Sequence, residues 1–403
     1  MSRIWNKVLV GAFVVALMLP LIGFMLVDEE REAAIEDAER RPLAAFPKAG
    51  DGLFDTLPLT RGFEAYFTDR LGFRRMLVGH YSALKLRLLG ESSQKRVLAG
   101  RDRWLFIGGN PAVADHRRIR TISYKNLEAW GRKLEGQQQW LKARGIRYLF
   151  VPIPNKITMY PEFAPPELTR VGDTLRPLER LVAYLKSNTN VNILDITPGL
   201  MAAKRELLLY GRTDTHWTDL GAYIGYRHIA EWLSRWYPAV SPEPPGAFAM
   251  QVSETPGGGL SRMLGSRTLI PETDNIKLRL SAGYCAKDVT PNLAPLSPIP
   301  YPTFRQPFSR ACDRAGLPRG VVFGDSFTNA LEKFLSEQFS RVTYVRGMYS
   351  QADMEALLAK EPIDVVIELK VERYLPHARV LREYGTEKQP RQPEDAQAVV
   401  GEE

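Results

Sequence analysis

Residues 320–327, which read Gly-Val-Val-Phe-Gly-Asp-Ser-Phe, join an apolar run to a tight turn. The apolar run predicts a buried strand, and Gly324 permits a sharp turn after it. Ser326 then lies at the carboxyl edge of a strand and directly before a predicted helix, where backbone N–H groups can stabilise a developing negative charge. This context is typical of a nucleophilic serine, and the alternative is a helix cap without a catalytic role.

A second polar motif, Asp214-Thr215-His216-Trp217, precedes the serine by about a hundred residues. A nucleophilic serine requires a base, and a carboxylate beside a histidine fixes the histidine tautomer. Asp214 and His216, two residues apart on a predicted turn, suit that pairing, although a polar turn before a helix also attracts capping residues. The resulting hypothesis has Ser326 as nucleophile, His216 as base and Asp214 as its carboxylate partner.

Helix and strand patterns alternate from Tyr124 onward, which predicts an α/β fold. Helices between β-branched runs indicate crossover connections, and hence a mainly parallel sheet covered on both faces as a three-layer sandwich. The rhythm fails between residues 241 and 309, where proline and glycine predict a loop-rich insertion that serves as a lid or substrate wall. The predicted strands are residues 147–153, 191–196, 320–323, 342–345 and 365–369.

The N-terminus predicts a membrane anchor. Arg3 and Lys7 precede an uncharged apolar run at residues 8–27, and an acidic cluster that begins at Asp28 follows it. This charge asymmetry leaves residues 1–7 in the cytoplasm and the remainder outside it; the alternative is a cleaved signal peptide. Residues 28–95 are expected to form a stalk and an N-terminal helical segment, residues 96–382 the main domain, and residues 383–403 a disordered tail.

Composition narrows the function classes. The 403 residues are 44% hydrophobic and 25% charged, as in folded globular proteins, and the net charge of +8 is not arranged as a basic stripe with aromatic residues, so nucleic acid is not an expected partner. Cys285 and Cys312 are a candidate disulfide, with two free thiols as the alternative. No metal site and no cofactor are expected, because histidine is scarce and no dinucleotide or phosphate-loop pattern occurs in the sequence.

Together these motifs resemble the alginate O-acetyltransferase family, SGNH-hydrolase-like acetyltransferases whose base motif reads Asp-x-His-Trp. The resemblance covers residues 62–373, and it includes residues 151–156, Val-Pro-Ile-Pro-Asn-Lys, and residues 160–162, Tyr-Pro-Glu. As in that family, the Asp-x-His pair precedes the serine. The resemblance implies an SGNH-hydrolase-like sandwich with Asp214, His216 and Ser326 as its triad. Gly-Asp-Ser stands where the family often has Gly-Thr-Ser, which leaves the polymer undefined.

Three further side chains follow predicted strands and therefore reach the same edge of the sheet. Asn155 is a candidate oxyanion donor and Lys156 a candidate to hold either the acceptor or the loop; the alternative for both is an ordinary turn. Arg373 is a candidate substrate-binding residue, and with Glu368 it matches a Glu-x-x-x-x-Arg pattern of the family.

The expected function is that of a periplasmic O-acetyltransferase, anchored in the inner membrane by one span, that acetylates a cell-envelope or extracellular polysaccharide. The family resemblance implies that a separate membrane-bound O-acyltransferase supplies the acyl donor. Two alternatives remain at this point: a polysaccharide acetylesterase with the same triad, and a non-catalytic polysaccharide-binding assembly protein.

Overall fold

The structure, a computed structural model, describes residues 2–25, 32, 42–47, 56–109, 111–172, 175–290 and 307–375. The chain divides into two compact units, with the boundary between Leu84 and Lys85. The predicted disordered tail, residues 383–403, lies outside the described residues, as does nearly all of the predicted stalk. The domain boundaries derived from the sequence stay predictions.

The N-terminal unit is helical. Its elements are α1 (Ser2–Met25), α2 (Thr56–Arg70) and the start of α3 (Arg74–Leu89). Residues Ile4–Met25 of α1 are long and apolar enough to cross a membrane. The N-terminal helical segment predicted within residues 28–95 contains two helices, because Phe73 adopts a φ of 60° and a residue in this left-handed region interrupts a right-handed helix.

The second unit alternates helices and strands. Its helices are α4 (Pro111–His116), α5 (Tyr124–Lys142), α6 (Lys156–Met159), α7 (Pro177–Asn188), α8 (Thr197–Ala203), α9 (Asp219–Leu233), α10 (Gly259–Met263), α11 (Thr328–Leu335) and α12 (Gln351–Leu358). Its strands are β1 (Val97–Ala99), β2 (Leu105–Ile107), β3 (Arg147–Ile153), β4 (Phe248–Thr255), β5 (Glu272–Leu280), β6 (Lys287–Asp288), β7 (Phe308–Ala311), β8 (Arg319–Gly324), β9 (Arg341–Arg346) and β10 (Val365–Val371). Short 3₁₀ turns span Arg101–Arg103, Pro161–Phe163, Pro245–Ala247, Ser336–Gln338 and Glu372–Tyr374.

The main sheet of the described residues has the order β3-β10-β8-β9-β7-β6. Strands β3, β10, β8 and β9 pair in parallel, whereas β7 and β6 add an antiparallel edge. Alternate residues of β3 enter opposite cores: Leu149 and Val151 pack with α8, α9 and α11, whereas Tyr148 and Phe150 pack with α5, α7 and α12. The predicted three-layer α/β sandwich with a mainly parallel sheet is confirmed.

Residues 191–196 do not form the predicted strand and make only one parallel bridge, between Phe150 and Ile193. The physical reason lies in α5, whose side chains take two backbone donors where this segment begins. The N–H groups of Asn190 and Asn192 donate to Glu135 Oε1 and Gln138 Oε1. A continuous ladder is therefore replaced by side-chain hydrogen bonds at the edge of the sheet.

Residues 241–309, predicted to be loop-rich, contain an antiparallel pair of strands, β4 and β5, as well as the short helix α10. Alternate side chains of β5 are buried, including Ile276, Leu278 and Leu280, and this period-two pattern is what the proline and glycine content obscured. Residues 291–306 lie outside the described part of the chain. A disulfide joins Cys285 to Cys312 with their Cα atoms 5.1 Å apart, across the paired strands β6 and β7.

Candidate active site

The turn after β8 holds Ser326 at the carboxyl edge of the sheet. Asp325 fixes this turn, because its Oδ1 accepts the N–H of Phe327 at 3.1 Å and its Oδ2 accepts the N–H of Val371, at the end of β10, at 2.9 Å. Glycine is required at position 324, where a Cβ atom would lie 2.4 Å from Thr328 Cγ2. The carboxylate next to Ser326 therefore has a structural task in tying two strand ends together.

His216 connects the two sequence motifs. Its Nε2 lies 2.6 Å from Ser326 Oγ, and its Nδ1 lies 2.6 Å from Asp214 Oδ1. Because the carboxylate can only accept, Nδ1 carries the proton and Nε2 is free to accept the serine hydroxyl proton. The structure thus brings Ser326, His216 and Asp214 into one hydrogen-bonded chain, the arrangement by which a serine hydroxyl is activated for attack on an acyl group.

Aromatic packing keeps the two motifs in register. The ring of Phe327 packs against the imidazole of His216 with centroids 5.0 Å apart, and the indole Nε1 of Trp217 donates to the carbonyl of Phe327 at 3.0 Å. The tryptophan of the Asp-x-His-Trp motif therefore ties the loop of His216 to the turn of Ser326.

The carboxylate of Asp214 is held from both sides. Besides the imidazole, Oδ1 accepts the backbone N–H of His216 at 2.9 Å, and Oδ2 accepts the N–H of Gly259 at 2.6 Å. Burial raises the pKa of Asp214. The charge and hydrogen bond of His216 and the backbone donors together lower the pKa by more than burial raises it, so the pKa of Asp214 lies below the ordinary 3.8. Asp214 therefore remains a carboxylate at neutral pH.

Lys156 holds the loop that carries Asp214 and His216, called here the triad loop, and does not face solvent. Its side chain is buried, and Nζ donates to the carbonyls of Leu105, Arg212 and Asp214 at 2.6, 2.7 and 2.9 Å. Burial lowers the pKa of Lys156 to about 7, whereas the nearby Glu272 and Asp214 carboxylates oppose this fall. The three acceptors account for all three ammonium hydrogens. Of the two roles predicted for Lys156, these contacts favour holding the loop.

Glu272, at the start of β5, holds the same loop from the insertion. Its carboxylate accepts the N–H groups of Arg212 and Thr213 at 2.9 and 2.8 Å and the hydroxyl of Thr213 at 2.7 Å. Gly258 completes this contact by donating its N–H to Thr213 Oγ1 at 2.9 Å. A cation and an anion therefore position the backbone of the triad loop.

Sequence reasoning missed the roles of Glu272, Gly258 and Gly259. A Cβ atom at position 258 would lie 2.4 Å from Asp214 Oδ2, so only glycine lets the insertion approach the carboxylate this closely. The run of three glycines at 257–259 was the available signal for a close backbone approach, but no sequence signal distinguishes Glu272 from other acidic residues of the insertion.

Asn155 follows β3 and lines a narrow cleft with Thr215 and Arg373. Its N–H donates to Glu372 Oε2 at 2.9 Å, and the same oxygen accepts the hydroxyl of Thr158 at 2.6 Å. Burial raises the pKa of Glu372 above the ordinary 4.5, despite the opposing charge of Arg176. Within the described part of the chain, the side-chain amide Nδ2 of Asn155 is buried and has no hydrogen-bond partner. Asn155 thus presents an unused donor beside the residue that precedes His216.

Arg373 and Glu368, which share a pattern in the sequence, separate in the structure. Arg373 lies against the rings of Phe327 and Tyr374, at 5.8 and 5.0 Å from their centroids, and borders the cleft. The carboxylate of Glu368 is buried on the other side of the sheet, where it accepts the hydroxyl of Tyr148 at 2.6 Å. Only Arg373 of this pair reaches the candidate site.

The sequence of this chain is similar to those of proteins named as alginate O-acetylases. The chain is 29% identical to the probable alginate O-acetylase AlgJ of Pseudomonas fluorescens over 185 residues. This aligned region covers 43% of this chain and 42% of that protein. It is 25% identical over 232 residues to the protein of the same name from Pseudomonas syringae pv. tomato, which covers 55% of each chain. The chain spans about half the length of the curated relatives it matches.

Among solved structures, Bacillus cereus PatB1 has a similar fold, with a TM-score of 0.53 and 15% sequence identity over 70% of this chain and 98% of that one. Its form with a sulfonyl adduct gives a TM-score of 0.51 at 16% identity over the same shares of both chains. A family model described as "SGNH hydrolase-like domain, acetyltransferase AlgX" matches residues 97–367, which include every residue of the hydrogen-bonded chain. The chain therefore belongs to the AlgX-type family of SGNH-hydrolase-like acetyltransferases.

Proposed function

We propose that this chain is an O-acetyltransferase that moves an acetyl group, through an ester on Ser326, onto hydroxyl groups of an extracytoplasmic polysaccharide. The observation that carries the proposal is the hydrogen-bonded chain from Ser326 through His216 to Asp214, inside a domain of an acetyltransferase family. Relatives named as alginate O-acetylases support a polysaccharide as the acceptor.

In the first half-reaction, His216 Nε2 accepts the hydroxyl proton of Ser326 as Oγ bonds to the carbonyl carbon of an acetyl donor. The bond from that carbon to the donor's leaving group then breaks, and His216 returns the proton to the leaving group. Asp214 stabilises the imidazolium and holds its ring, because its carboxylate stays charged throughout. The product is an acetyl ester on Ser326.

In the second half-reaction, a sugar hydroxyl attacks the acetyl-serine. His216 accepts the proton of that hydroxyl, the ester bond to Oγ breaks, and the proton passes to Ser326, which restores the free enzyme. Transfer competes with hydrolysis, so the site has to hold the acceptor and exclude water. The insertion at residues 241–309 suits this task, because Gly258 and Gly259 already contact the triad loop.

Asn155 is the proposed side-chain donor to the oxyanion that forms in both half-reactions. Its amide Nδ2 lacks a partner among the described residues and borders the cleft, and Glu372 holds its backbone in place. Backbone N–H groups at the turn before α11 are the second proposed source of donors. Arg373, at the same cleft, is proposed to bind substrate.

The proposed location is the inner membrane, with α1 as a single span and residues 96–382 as the acyltransferase domain in the periplasm. The length and apolar character of α1 and the charge asymmetry around it support this topology. No acetyl-CoA is directly available in that compartment. A membrane-bound O-acyltransferase that carries acyl groups across the bilayer is therefore the proposed partner, as the family resemblance implies.

The test uses the full-length chain, purified in detergent, with an activated acetyl ester as donor and an oligosaccharide as acceptor. Ser326→Ala should lower acetyl transfer by at least about 10³-fold, because no other group replaces the nucleophile. The matched control is Ser350→Ala, which removes a helix cap from α12 and should leave transfer unchanged. Mass spectrometry should find acetyl on the peptide that contains Ser326. Full transfer activity in Ser326→Ala would refute the proposed intermediate.

The direction of the reaction is tested in cells. Deletion of the gene should lower the acetyl content of the envelope or secreted polysaccharide, whereas a rise would identify an esterase. An unchanged acetyl content, together with no labelling of Ser326 by a serine-reactive probe, would refute an enzymatic role.

A further inference from the structure

Two glycines join the end of the apolar helix α1 to the corner between α2 and α3, defined here as residues 71–77. The N–H of Gly72 donates to the carbonyl of Pro20 at 3.1 Å. A Cβ atom at Gly72 would lie 2.3 Å from the Cα of Gly23, and one at Gly23 would lie 2.6 Å from the Cα of Gly72. The two backbones therefore cross in direct contact, and the last turns of α1 are part of the folded N-terminal unit.

Aromatic rings extend this contact beyond the glycines. The ring of Phe24 packs on Phe67 and Tyr66 of α2, with centroids 5.1 and 6.2 Å apart, and Phe46 packs on Tyr66 at 5.2 Å. Aromatic side chains are common at the level where a span leaves the hydrocarbon of a bilayer. A cleaved leader would discard both Pro20 and its contact with the corner, so this packing favours a retained helix.

The contact between Gly23 and Gly72 determines where along the axis of α1 the corner lies, and therefore how deep it lies in a membrane that α1 spans. This inference rests on the proposed membrane anchor. The 22 residues of Ile4–Met25 rise about 33 Å as a helix, close to the thickness of a hydrocarbon core of about 30 Å. Pro20 precedes Met25 by five residues, so its carbonyl lies about 7.5 Å below the end of the helix. A residue that hydrogen-bonds this carbonyl lies at or below the boundary of the hydrocarbon.

The apolar side chains of the corner suit that depth, and its two arginines, Arg74 and Arg75, have stems long enough to carry their charges to the headgroup level. Phe73, Met76 and Leu77 are 51%, 52% and 50% exposed in the isolated protein, and the ring of Phe73 lies 3.4 Å from the position of a Cβ atom at Gly23. Tyr81 and Leu84 continue the exposed apolar surface at helical spacing along α3. Apolar side chains of the corner beside the span are therefore left partly uncovered by the protein.

We propose that the corner at residues 71–77 is embedded in the lipid bilayer, in the leaflet through which α1 leaves, with Phe73, Met76 and Leu77 in contact with acyl chains. The chain then has two membrane contacts: one span, and one helical corner docked on it through Gly23 and Gly72. Acyl chains cover this apolar surface because it adjoins the surface of the span, where the ring of Phe73 lies against Gly23.

The test measures the depth of the corner in the full-length chain, reconstituted in vesicles of phosphatidylethanolamine and phosphatidylglycerol. A fluorophore is attached to Phe73→Cys or Leu77→Cys, and quenching by lipids with a nitroxide on the acyl chain is recorded. The control is Met250→Cys, a residue of β4 that is 60% exposed. Quenching at positions 73 and 77 should exceed that at 250 by at least about twofold.

A pair of glycine variants tests the docking. Gly72→Leu should lower quenching at position 77, because a larger side chain cannot fit against Gly23. Gly11→Leu, on α1 as Gly23 is but with nothing within 4 Å of its Cβ position, should leave quenching unchanged. Equal quenching in both variants would overturn the glycine contact.

Flotation of the vesicles after alkaline carbonate treatment separates the two proposals. A chain that does not float refutes the anchor itself. A chain that floats without acyl-chain quenching at positions 73 and 77 refutes the embedded corner. Protection of these positions only when a membrane protein partner is present would likewise overturn it, and would assign the surface to that partner.

Discussion

Replacement of Asp214 by Asn removes the charge of the triad while keeping its shape. Three donors point at this carboxylate: the Nδ1–H and backbone N–H of His216 and the N–H of Gly259. An amide has only one oxygen to accept with. If that oxygen faces His216, the amide nitrogen opposes the N–H of Gly259; if it faces Gly259, the amide donates to Nδ1 and leaves the proton on Nε2, opposite Ser326.

Both orientations weaken the base. Loss of a hydrogen bond to a charged group costs about 1.5 to 3 kcal/mol, which is roughly 10- to 10²-fold in rate. The orientation with the wrong tautomer adds to this loss, and the equivalent substitution in a serine protease costs about 10⁴ in turnover. Asp214→Asn should therefore lower kcat by at least about 10², whereas the apparent affinity for the donor should change little.

The assay compares steady-state transfer rates of Asp214→Asn and Asp325→Asn, with circular dichroism to verify that both are folded. Asp325 is a matched control because its two oxygens also face two N–H donors, those of Phe327 and Val371, so the substitution creates the same conflict away from the imidazole. Its loss in kcat should be less than about tenfold. A crippled Asp325→Asn beside a nearly active Asp214→Asn would refute the pairing of Asp214 with His216.

Stability gives a second measurement on the same variant. Because the folded-state pKa of Asp214 is lowered below 3.8, its charge stabilises the folded protein above that pH, and this contribution is lost as the pH falls through the lower folded-state pKa. Asp214→Asn should therefore show a shallower loss of stability below about pH 4 than the wild type. An unchanged acid slope would contradict the lowered pKa.

Three other substitutions test the surroundings of the site. Gly258→Ala should lower kcat at least about tenfold by displacing the triad carboxylate, whereas Gly246→Ala, where a Cβ meets nothing within 4 Å, should not; equal rates would refute the close approach. Because burial raises the pKa of Glu372, its negative charge destabilises the folded protein as the pH rises above 4.5. The melting temperature of Glu372→Gln should therefore be no lower than that of the wild type at pH 7, and the difference between the two melting temperatures should become smaller in acid. A lower melting temperature of the variant at pH 7 would contradict this. Replacing Cys285 and Cys312 by Ala removes a cross-link between residues that are 27 positions apart, and it should reduce the free energy of unfolding in urea by about 3.5 kcal/mol. An unchanged free energy of unfolding would show that the disulfide does not constrain the unfolded chain.

The fold was predictable because its signals are local. A short apolar run followed by glycine, as at residues 320–324, has few structures open to it, and alternation of such runs with helical periods leaves a mainly parallel sheet. Residues 191–196 carry a similar apolar signal, but side chains of α5 accept the N–H groups of Asn190 and Asn192, and this competition is invisible in the segment itself.

The candidate site was predictable only where the chemistry lies in the motif. Ser326 and His216 belong to short patterns that a nucleophile and a base require, so they could be paired across 110 residues. Lys156 illustrates the limit: its residue type and position were clear, but only its burial and three carbonyl acceptors distinguish a brace for the loop from a substrate ligand. Glu272 acts mainly through backbone N–H groups, which any sequence could supply.

The contact of Gly258 and Gly259 with the triad loop bears on how the proposed acceptor specificity could be altered. The insertion contains two kinds of position. Gly258 has to remain glycine if the Asp214 carboxylate is to stay in place, and Gly257 because a Cβ atom there would lie 2.1 Å from the carbonyl oxygen of Ile270, whereas Met250 and Val252 on β4 are exposed. Libraries aimed at changing the proposed polysaccharide acceptor should therefore vary the strand pair and preserve Gly257 and Gly258. If the whole insertion were varied, many variants would be inactive because Asp214 is displaced, and not because the acceptor fails to bind.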